Sequence, residues 1–227
     1  MIKEIKAPEI PDEYVPRLNK QSKNLYNLQC KDKYFLDLLF KSEEIEEILI
    51  HFLNDKYYKA IPQHLPNYVM RHCGVRSSEE AELPLHIDSF FPYSGEYVAA
   101  MQMMIFLEDS REDRGATLVI PGSHQSAKYA GELNEKPIPV EANAGDVILI
   151  DGRIHHGATS NRTNKTRYAM ITTFSRWCFK QMFDIPSAIP YNIRKTLTAK
   201  ELSILGFNSQ PFKDETFGID MKQGYSE

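Results

Sequence analysis

The sequence is poor in cysteine and tryptophan and has no long apolar run. Its 227 residues contain three cysteines, Cys30, Cys73 and Cys178, and one tryptophan. The cysteines are odd in number and far apart, which excludes a CxxC motif and a disulfide framework. No run approaches the roughly 18 apolar residues that cross a bilayer, and the first residues have no apolar signal core. We therefore expect a cytoplasmic protein without a membrane partner, in which histidine and carboxylate would bind any metal.

The charge balance has no strong bias. The formal net charge is -4, so nothing favours nucleic acid as a partner. Hydrophobic residues make up 42% of the chain, which is enough for a buried core. We expect a single domain, 1–227, with its functional motifs between about 64 and 178. Four arginines could receive an anionic group or could be solvated surface residues: Arg71, Arg76, Arg153 and Arg176.

The chain has one clear helical pattern and many short β patterns. Residues 42–53 predict a helix that begins at Ser42 and has an apolar face of Ile45, Ile48, Leu49 and Phe52, with His51 on its surface. From residue 64 onward, runs rich in β-forming residues alternate with turns, which predicts a mainly-β sandwich, jelly roll or barrel. Flanking N-terminal helices and a C-terminal wrapping segment with a helix near 198–205 complete the expected architecture. The predicted strands are 66–72, 83–87, 97–107, 116–120, 138–141, 146–151 and 167–177.

The stretch LPLHID places a histidine and an aspartate two positions apart near the end of a predicted strand. Residues i and i+2 of a strand face the same way, so His86 and Asp88 would present an imidazole and a carboxylate together. The third ligand is expected in DGRIHHGATSN, where either His155 or His156 could complete the site. Two histidines and one carboxylate on one face of a metal ion are typical of non-haem Fe(II) oxygenases. A zinc site with a bound water is the alternative.

Arg167 opens the predicted strand RYAMITTF, eleven residues after His156. An arginine fork binds a carboxylate at two points and stays charged when it is partly buried. A keto acid that is bound to iron at one end would need such an anchor for its remote carboxylate. Arg167 therefore favours an oxygenase over a cupin-like metal-binding protein without oxygenase activity.

Four stretches, in order, resemble the phytanoyl-CoA dioxygenase-like family of Fe(II)/2-oxoglutarate-dependent oxygenases: LPLHIDSF, FLEDSREDRGATLVIPGSHQ, NAGDVILIDGRIHHGATSN and NKTRYAM. The resemblance implies a double-stranded β-helix, which is a jelly roll of the cupin type. It also implies that His86, Asp88 and His156, the histidine directly before Gly157, are the iron ligands and that Arg167 anchors 2-oxoglutarate. The implied cofactors are Fe(II), the co-substrate 2-oxoglutarate and O2.

The resemblance further implies the reaction: 2-oxoglutarate is converted to succinate and CO2 while a small or medium-sized organic substrate is hydroxylated. A protein or peptide substrate on the same scaffold is the alternative. Asp88 favours hydroxylation, because related halogenases have a small residue in its place. Many such oxygenases have Ser or Thr two residues after the arginine, where this chain has Ala169. Thr117 is therefore a candidate second anchor, and Gln102, a polar residue in an apolar strand, could point toward the co-substrate.

Overall fold

The strands of the protein form two antiparallel sheets. The computed structural model describes residues 24–59, 61–78, 82–89 and 91–211. One sheet, the large sheet, has five strands in the order β1-β2-β9-β4-β7, and the other, the small sheet, has four in the order β3-β8-β5-β6. In chain order, the strands are β1 Leu25–Tyr26, β2 Tyr68–Ser77, β3 Leu83–His86, β4 Ala100–Phe106, β5 Thr117–Val119, β6 Ile138–Val140, β7 Val147–Asp151, β8 His156–Ala158 and β9 Tyr168–Arg176.

The path of the chain between the two sheets is that of a jelly roll. From β2 to β5 each strand lies in the opposite sheet from the one before, β5 and β6 pair within the small sheet, and β7, β8 and β9 alternate again. All strand pairs are antiparallel. The prediction of a mainly-β jelly roll is therefore confirmed. The bounds of the single domain, 1–227, extend beyond the described residues and stay a prediction.

Helices cover the outer face of the large sheet. They are α1 Lys33–Leu39, α2 Glu43–Leu53, α3 Ile185–Ala188, α4 Tyr191–Arg194 and α5 Ala199–Ile204. Leu36 of α1, Leu49 of α2 and Ile204 of α5 pack in one core cluster with Met103 and Phe174 of the sheet. The predicted helices at 42–53 and near 198–205 are confirmed as α2 and α5, whereas α1 belongs to the flanking N-terminal helices, for which no bounds were predicted.

The predicted apolar face of α2 is wrong in part. Ser42 caps the helix as expected, since its hydroxyl accepts the Ile45 N–H at 3.3 Å. However, Ile48 and Phe52 are each 39% exposed, whereas Leu49 and Leu53 are buried. The helix packs along its i, i+4, i+8 row, so the buried stripe is narrower and rotated from the expected one. His51 is exposed, as predicted.

Successive residues of β4 face opposite sides of the large sheet. Met101, Met103 and Ile105 belong to the core under the helices, whereas Gln102 and Met104 line the space between the two sheets. This alternation points a polar side chain of a fully buried strand toward the small sheet. Among the described residues, no helix is long and apolar enough to cross a membrane.

Candidate metal centre

Three of the predicted ligands lie together at one end of the small sheet. His86 ends β3, Asp88 follows two residues later, and His156 begins β8. The antiparallel pairing of β3 and β8 places His86 directly opposite His156. One ligand atom of each of the three residues lies within 4.8 Å of the others. The structure therefore groups His156, and not His155, with the pair.

The two imidazoles are oriented in the same way. Nδ1 of His86 hydrogen bonds to the Pro84 carbonyl, and Nδ1 of His156 to the Ile154 carbonyl, each at 2.9 Å. An Nδ1–H that donates to a carbonyl leaves Nε2 as a lone-pair acceptor, which is the form that binds a metal. The Nε2 atoms face the Asp88 carboxylate at 3.9 Å for His86 and 3.8 Å for His156. Such a set of converging acceptors fits a cation.

Burial also keeps His156 neutral. It is the main cause that lowers the pKa of His156, and the charge of His86 acts in the same direction, while the Asp88 carboxylate opposes both. A histidine has to be neutral to coordinate a metal, since the proton and the ion compete for the same nitrogen. The local environment thus favours the metal-binding form of this residue.

Backbone contacts fix the position of Asp88. The N–H groups of Asp88 and Ser89 donate to the carbonyl of Gly152 at 2.8 and 3.0 Å. The side-chain amide of Gln102 donates to the Asp88 carboxylate. Gly152 follows β7 and Gln102 lies in β4, so both contacts come from the side of the large sheet. The carboxylate is held between the two sheets.

Gly157 allows β3 and β8 to approach each other. A Cβ at this position would lie 2.4 Å from the carbonyl oxygen of Leu83, a distance that real Cβ atoms essentially never show. Since β3 and β8 carry the two histidines, the close approach sets the distance between their rings, whose centroids are 4.4 Å apart. The glycine after His156 therefore has a steric role in the site.

A cavity of about 530 Å³ connects the three-residue cluster to the other predicted residues. Gln102, Thr117 and Arg167 all line it, so the six predicted site residues share one cavity. The Thr117 hydroxyl donates to the sulfur of Met104 at 3.4 Å. The side-chain oxygen of Gln102 is buried without a hydrogen-bond partner.

Arg167 is a buried cation with an unfilled donor. It is 5% exposed, and its guanidinium donates to the carbonyl of Gly115, while its buried Nε has no partner. Burial, followed by the charges of Arg76 and Arg114, lowers its pKa to about 10, so it remains protonated at neutral pH. A buried charge of this kind is costly unless an anion accompanies it. The cavity is therefore suited to a carboxylate at this end.

Ser78 and Asn161 anchor the backbone of Arg167. Its N–H donates to the Ser78 hydroxyl at 2.9 Å, and the Asn161 amide donates to the same oxygen at 2.8 Å. Ser78 in turn donates its N–H to the Arg167 carbonyl at 2.7 Å. The Asn of HHGATSN thus helps to position the start of β9.

Two further residues of β2 line the cavity: His72, which the sequence analysis did not assign, and Arg76, which it gave only as one of four possible anion receptors. Of the four arginines considered as anion receptors, only Arg76 lines this cavity among the described residues. Arg153 instead pairs with Asp151 at 2.7 Å and borders a separate, larger cavity of about 910 Å³. Arg176 donates to the carbonyl of Val98 at 2.8 Å, and Arg71 donates to that of Lys180 at 3.2 Å.

The fold and the cluster define a class of protein: a jelly roll in which two histidines and one carboxylate lie close enough together to hold a metal ion. Within that class, the family is shown by sequence. The model of the phytanoyl-CoA dioxygenase (PhyH) family matches residues 8–169, which is more than half of the chain. The chain belongs to this family.

The chain is also similar in sequence to individual relatives. The chain is 28% identical over 194 residues to dioxygenase olcK of Penicillium canescens, covering 79% of this chain and 61% of that protein. It is 32% identical over 116 residues to the uncharacterized protein Rv1501 of Mycobacterium tuberculosis, covering 50% of this chain and 42% of that protein. The chain therefore spans about half the length of these relatives.

Two solved structures share the fold. HygX from Streptomyces hygroscopicus, solved with nickel and 2-oxoglutarate bound, has a TM-score of 0.55 and 12% identity, over 74% of this chain and 75% of HygX. The non-haem α-ketoglutarate-dependent epimerase SnoN from nogalamycin biosynthesis has a TM-score of 0.52 and 19% identity, over 72% of this chain and 69% of SnoN. At these identities the likeness establishes the fold.

Proposed function

We propose that the protein is a non-haem Fe(II)/2-oxoglutarate-dependent dioxygenase that hydroxylates a small or medium-sized organic substrate. The observation that supports this most is the single cavity that joins His86, Asp88 and His156 to the buried cation of Arg167. A zinc site or a non-catalytic metal-binding protein needs three ligands, but it has no use for a buried arginine with an unfilled donor. The family, and the 2-oxoglutarate bound in HygX, support the same cofactor pair.

In this proposal each residue has a defined task. His86, Asp88 and His156 hold Fe(II), and Arg167 binds the carboxylate of 2-oxoglutarate that is remote from the keto group, with Thr117 close by in the cavity. When bound, Fe(II) supplies the activation of O2 that accompanies the conversion of 2-oxoglutarate to succinate and CO2. Gln102 orients the Asp88 carboxylate through its amide. Met104 and Ile171 give part of the cavity an apolar lining.

The cavity and the ligand set also support the type of substrate and outcome. A volume of about 530 Å³ lies in the range of small-molecule sites and favours a small or medium-sized substrate over a large acyl-CoA or a protein segment. The carboxylate of Asp88 fills the position that a halogenase would leave open, which supports hydroxylation. We further propose that neither a nucleic acid nor a membrane is a partner of the protein.

The test is anaerobic titration of the protein with Fe(II) and 2-oxoglutarate. We expect a charge-transfer absorption band in the visible region for the wild type, and a band for Asp88→Ala only at much higher Fe(II) concentrations, since one protein ligand is lost. Arg167→Gln should give the band only at much higher 2-oxoglutarate concentrations, since a charge-assisted bidentate contact is lost. The absence of a band in the wild type would reject the oxygenase function. If the wild type gives the band, measuring succinate formation in air would test turnover.

A further inference from the structure

Arg76 reaches into the same end of the cavity as Arg167. It lies on β2, where residues alternate between the two faces: Cys73 and Val75 pack under the helices, whereas His72, Gly74 and Arg76 line the cavity. The side chain of Arg76 is half-buried. It therefore belongs to the cavity wall and is not one of the solvated arginines of the surface.

The register of the large sheet places Arg76 beside Ala169. Arg76 is the direct cross-strand partner of Ala169 on β9, and Ala169 is in turn the partner of Phe106 on β4. Cross-strand partners point to the same face of a sheet. Ala169 is buried beside Met104 and Phe106 and lies two residues after Arg167, so Arg76 is placed diagonally to Arg167 on the same face of the sheet, within the reach of a long side chain.

The two guanidinium groups influence each other. After burial, the charge of Arg76 is the largest cause of the lowered pKa of Arg167, and it also contributes to the lowered pKa of His156. Arg76 is thus near both the anchor residue and the candidate metal ligands.

No described carboxylate compensates Arg76. None of the ion pairs or side-chain hydrogen bonds found in the described ranges involves this residue. Glu82 lines the same cavity but is exposed, and Glu108 interacts with Arg167. Two neighbouring cations on a cavity wall, one of them with a buried unfilled donor, are a binding site for an anion.

We propose that Arg76 is a second anchor for the remote carboxylate of 2-oxoglutarate, so that this carboxylate is bound by two arginines from adjacent strands. The assignment rests on the proposed function. It also differs from a role in binding the oxidised substrate, since the cross-strand partner of Arg76 is only two residues from the anchor Arg167. The Thr117 hydroxyl, by contrast, lies on the small sheet and donates to Met104.

The test compares two ligands on two variants, with protein loaded with Ni(II) and calorimetry as the readout, so that no turnover is needed. The ligands are 2-oxoglutarate and 2-oxopentanoate, which has the same chain length without the remote carboxylate. The variants are Arg76→Gln and the control Lys165→Gln, which removes an exposed cation two residues before Arg167. We expect Arg76→Gln to weaken 2-oxoglutarate binding about tenfold to a hundredfold, the value of a charged hydrogen bond. Arg76→Gln should change the affinity for 2-oxopentanoate less than about threefold, because this ligand has no remote carboxylate. Lys165→Gln should change the affinity for 2-oxoglutarate less than about threefold, because surface charges are screened.

Three outcomes are distinct. The proposal would be overturned if Arg76→Gln bound 2-oxoglutarate as tightly as Lys165→Gln does. It would also be overturned if Arg76→Gln lost affinity equally for both keto acids, because that result would assign Arg76 to the metal-binding end. Failure of the wild type to bind 2-oxoglutarate at all would instead reject the proposed function. Ni(II) affinity and far-UV circular dichroism verify that Arg76→Gln is folded, and Arg76→Lys should recover part of the lost affinity.

Discussion

His155 and His156 are adjacent in sequence but differ in position. The ring of His156 faces Asp88, whereas His155 is buried outside the three-residue cluster and its N–H donates to the Ser123 hydroxyl at 2.9 Å. If His156 is a ligand, its removal leaves two protein ligands, which do not hold a divalent ion tightly. We expect His156→Ala to lower Ni(II) affinity by at least about a hundredfold, beyond the effect of residues that only orient ligands. His155→Ala should bind Ni(II) within about threefold of wild type, as measured by calorimetry.

His155→Ala is the control for a loss of Ni(II) affinity that is caused only by a loss of stability. Both histidines are buried, so both substitutions remove a similar volume, and thermal melting reports the stability that each variant loses. Equal loss of Ni(II) affinity in the two variants would contradict the assignment of His156 as the ligand.

At the same scale, site residues could be predicted from the sequence only where side chains alternate regularly along a strand. Spacing suggested His86 and Asp88, and the choice of His156 over His155 came from the family resemblance, because alternation alone leaves both open. Arg76 was only one of four arginines that could receive an anion, and the face of the sheet to which it points was not predictable, because β2 has a register shift between Met70 and His72. Period-two counting fails across a bulge, so the face of the later residues could not be read from the earlier ones.

At the scale of elements, β8 can lie close to β3 because Gly157 has no side chain. The strand has three residues and contains Gly157, and neither its length nor its composition predicts a strand. We expect Gly157→Ala to displace β3, because its Cβ would clash with the Leu83 backbone. The unfolding free energy should fall by about 1–3 kcal/mol, and Ni(II) affinity about tenfold or more, since the displaced strand carries His86.

Gly131→Ala is the control for this prediction. A Cβ at Gly131 meets nothing within 4 Å, and its φ lies outside the positive region. We expect wild-type Ni(II) affinity and a stability within about 0.5 kcal/mol, by calorimetry and chemical denaturation. A Gly157→Ala protein that behaves like Gly131→Ala would show that the approach of β3 to β8 does not set the site.

Helix α2 shows why an amphipathic pattern can predict a helix and yet misplace its buried face. Four apolar residues fit the i, i+3, i+4, i+7 template, but the sheet below is contacted by the row through Leu49 and Leu53. We expect Leu49→Ala to lower the unfolding free energy by about 2–5 kcal/mol, because it leaves a cavity in the core. Ile48→Ala, at a 39% exposed position, should lose at most about 1 kcal/mol in the same denaturation experiment. A loss for Ile48→Ala as large as that for Leu49→Ala would instead support the face predicted from sequence, which contains both residues.

At the scale of the whole molecule, the candidate centre joins the two sheets. His86 and His156 belong to the small sheet, whereas Asp88 is held by Gly152 and Gln102 from the side of the large sheet. The general fold was predictable because strand-like runs and turns recur along the chain. The way the sheets meet was not, since it depends on pairings such as β3 with β8 between residues about 70 positions apart in sequence.

Because the candidate ligands come together only when the two sheets are folded, metal binding should raise the thermal stability of the protein. An ion that binds only the folded site stabilises it by about 2.7 kcal/mol at a concentration one hundred times its Kd. For a domain of this size that corresponds to a rise in Tm of roughly 5–10 °C. We expect this rise on addition of Ni(II) to wild-type protein, its reversal by a chelator, and no rise in Asp88→Ala. If calorimetry detects Ni(II) binding while Tm stays constant, the ion binds elsewhere than between the two sheets, because a ligand set drawn from β3, β8 and the turn at Asp88 exists only in the folded jelly roll.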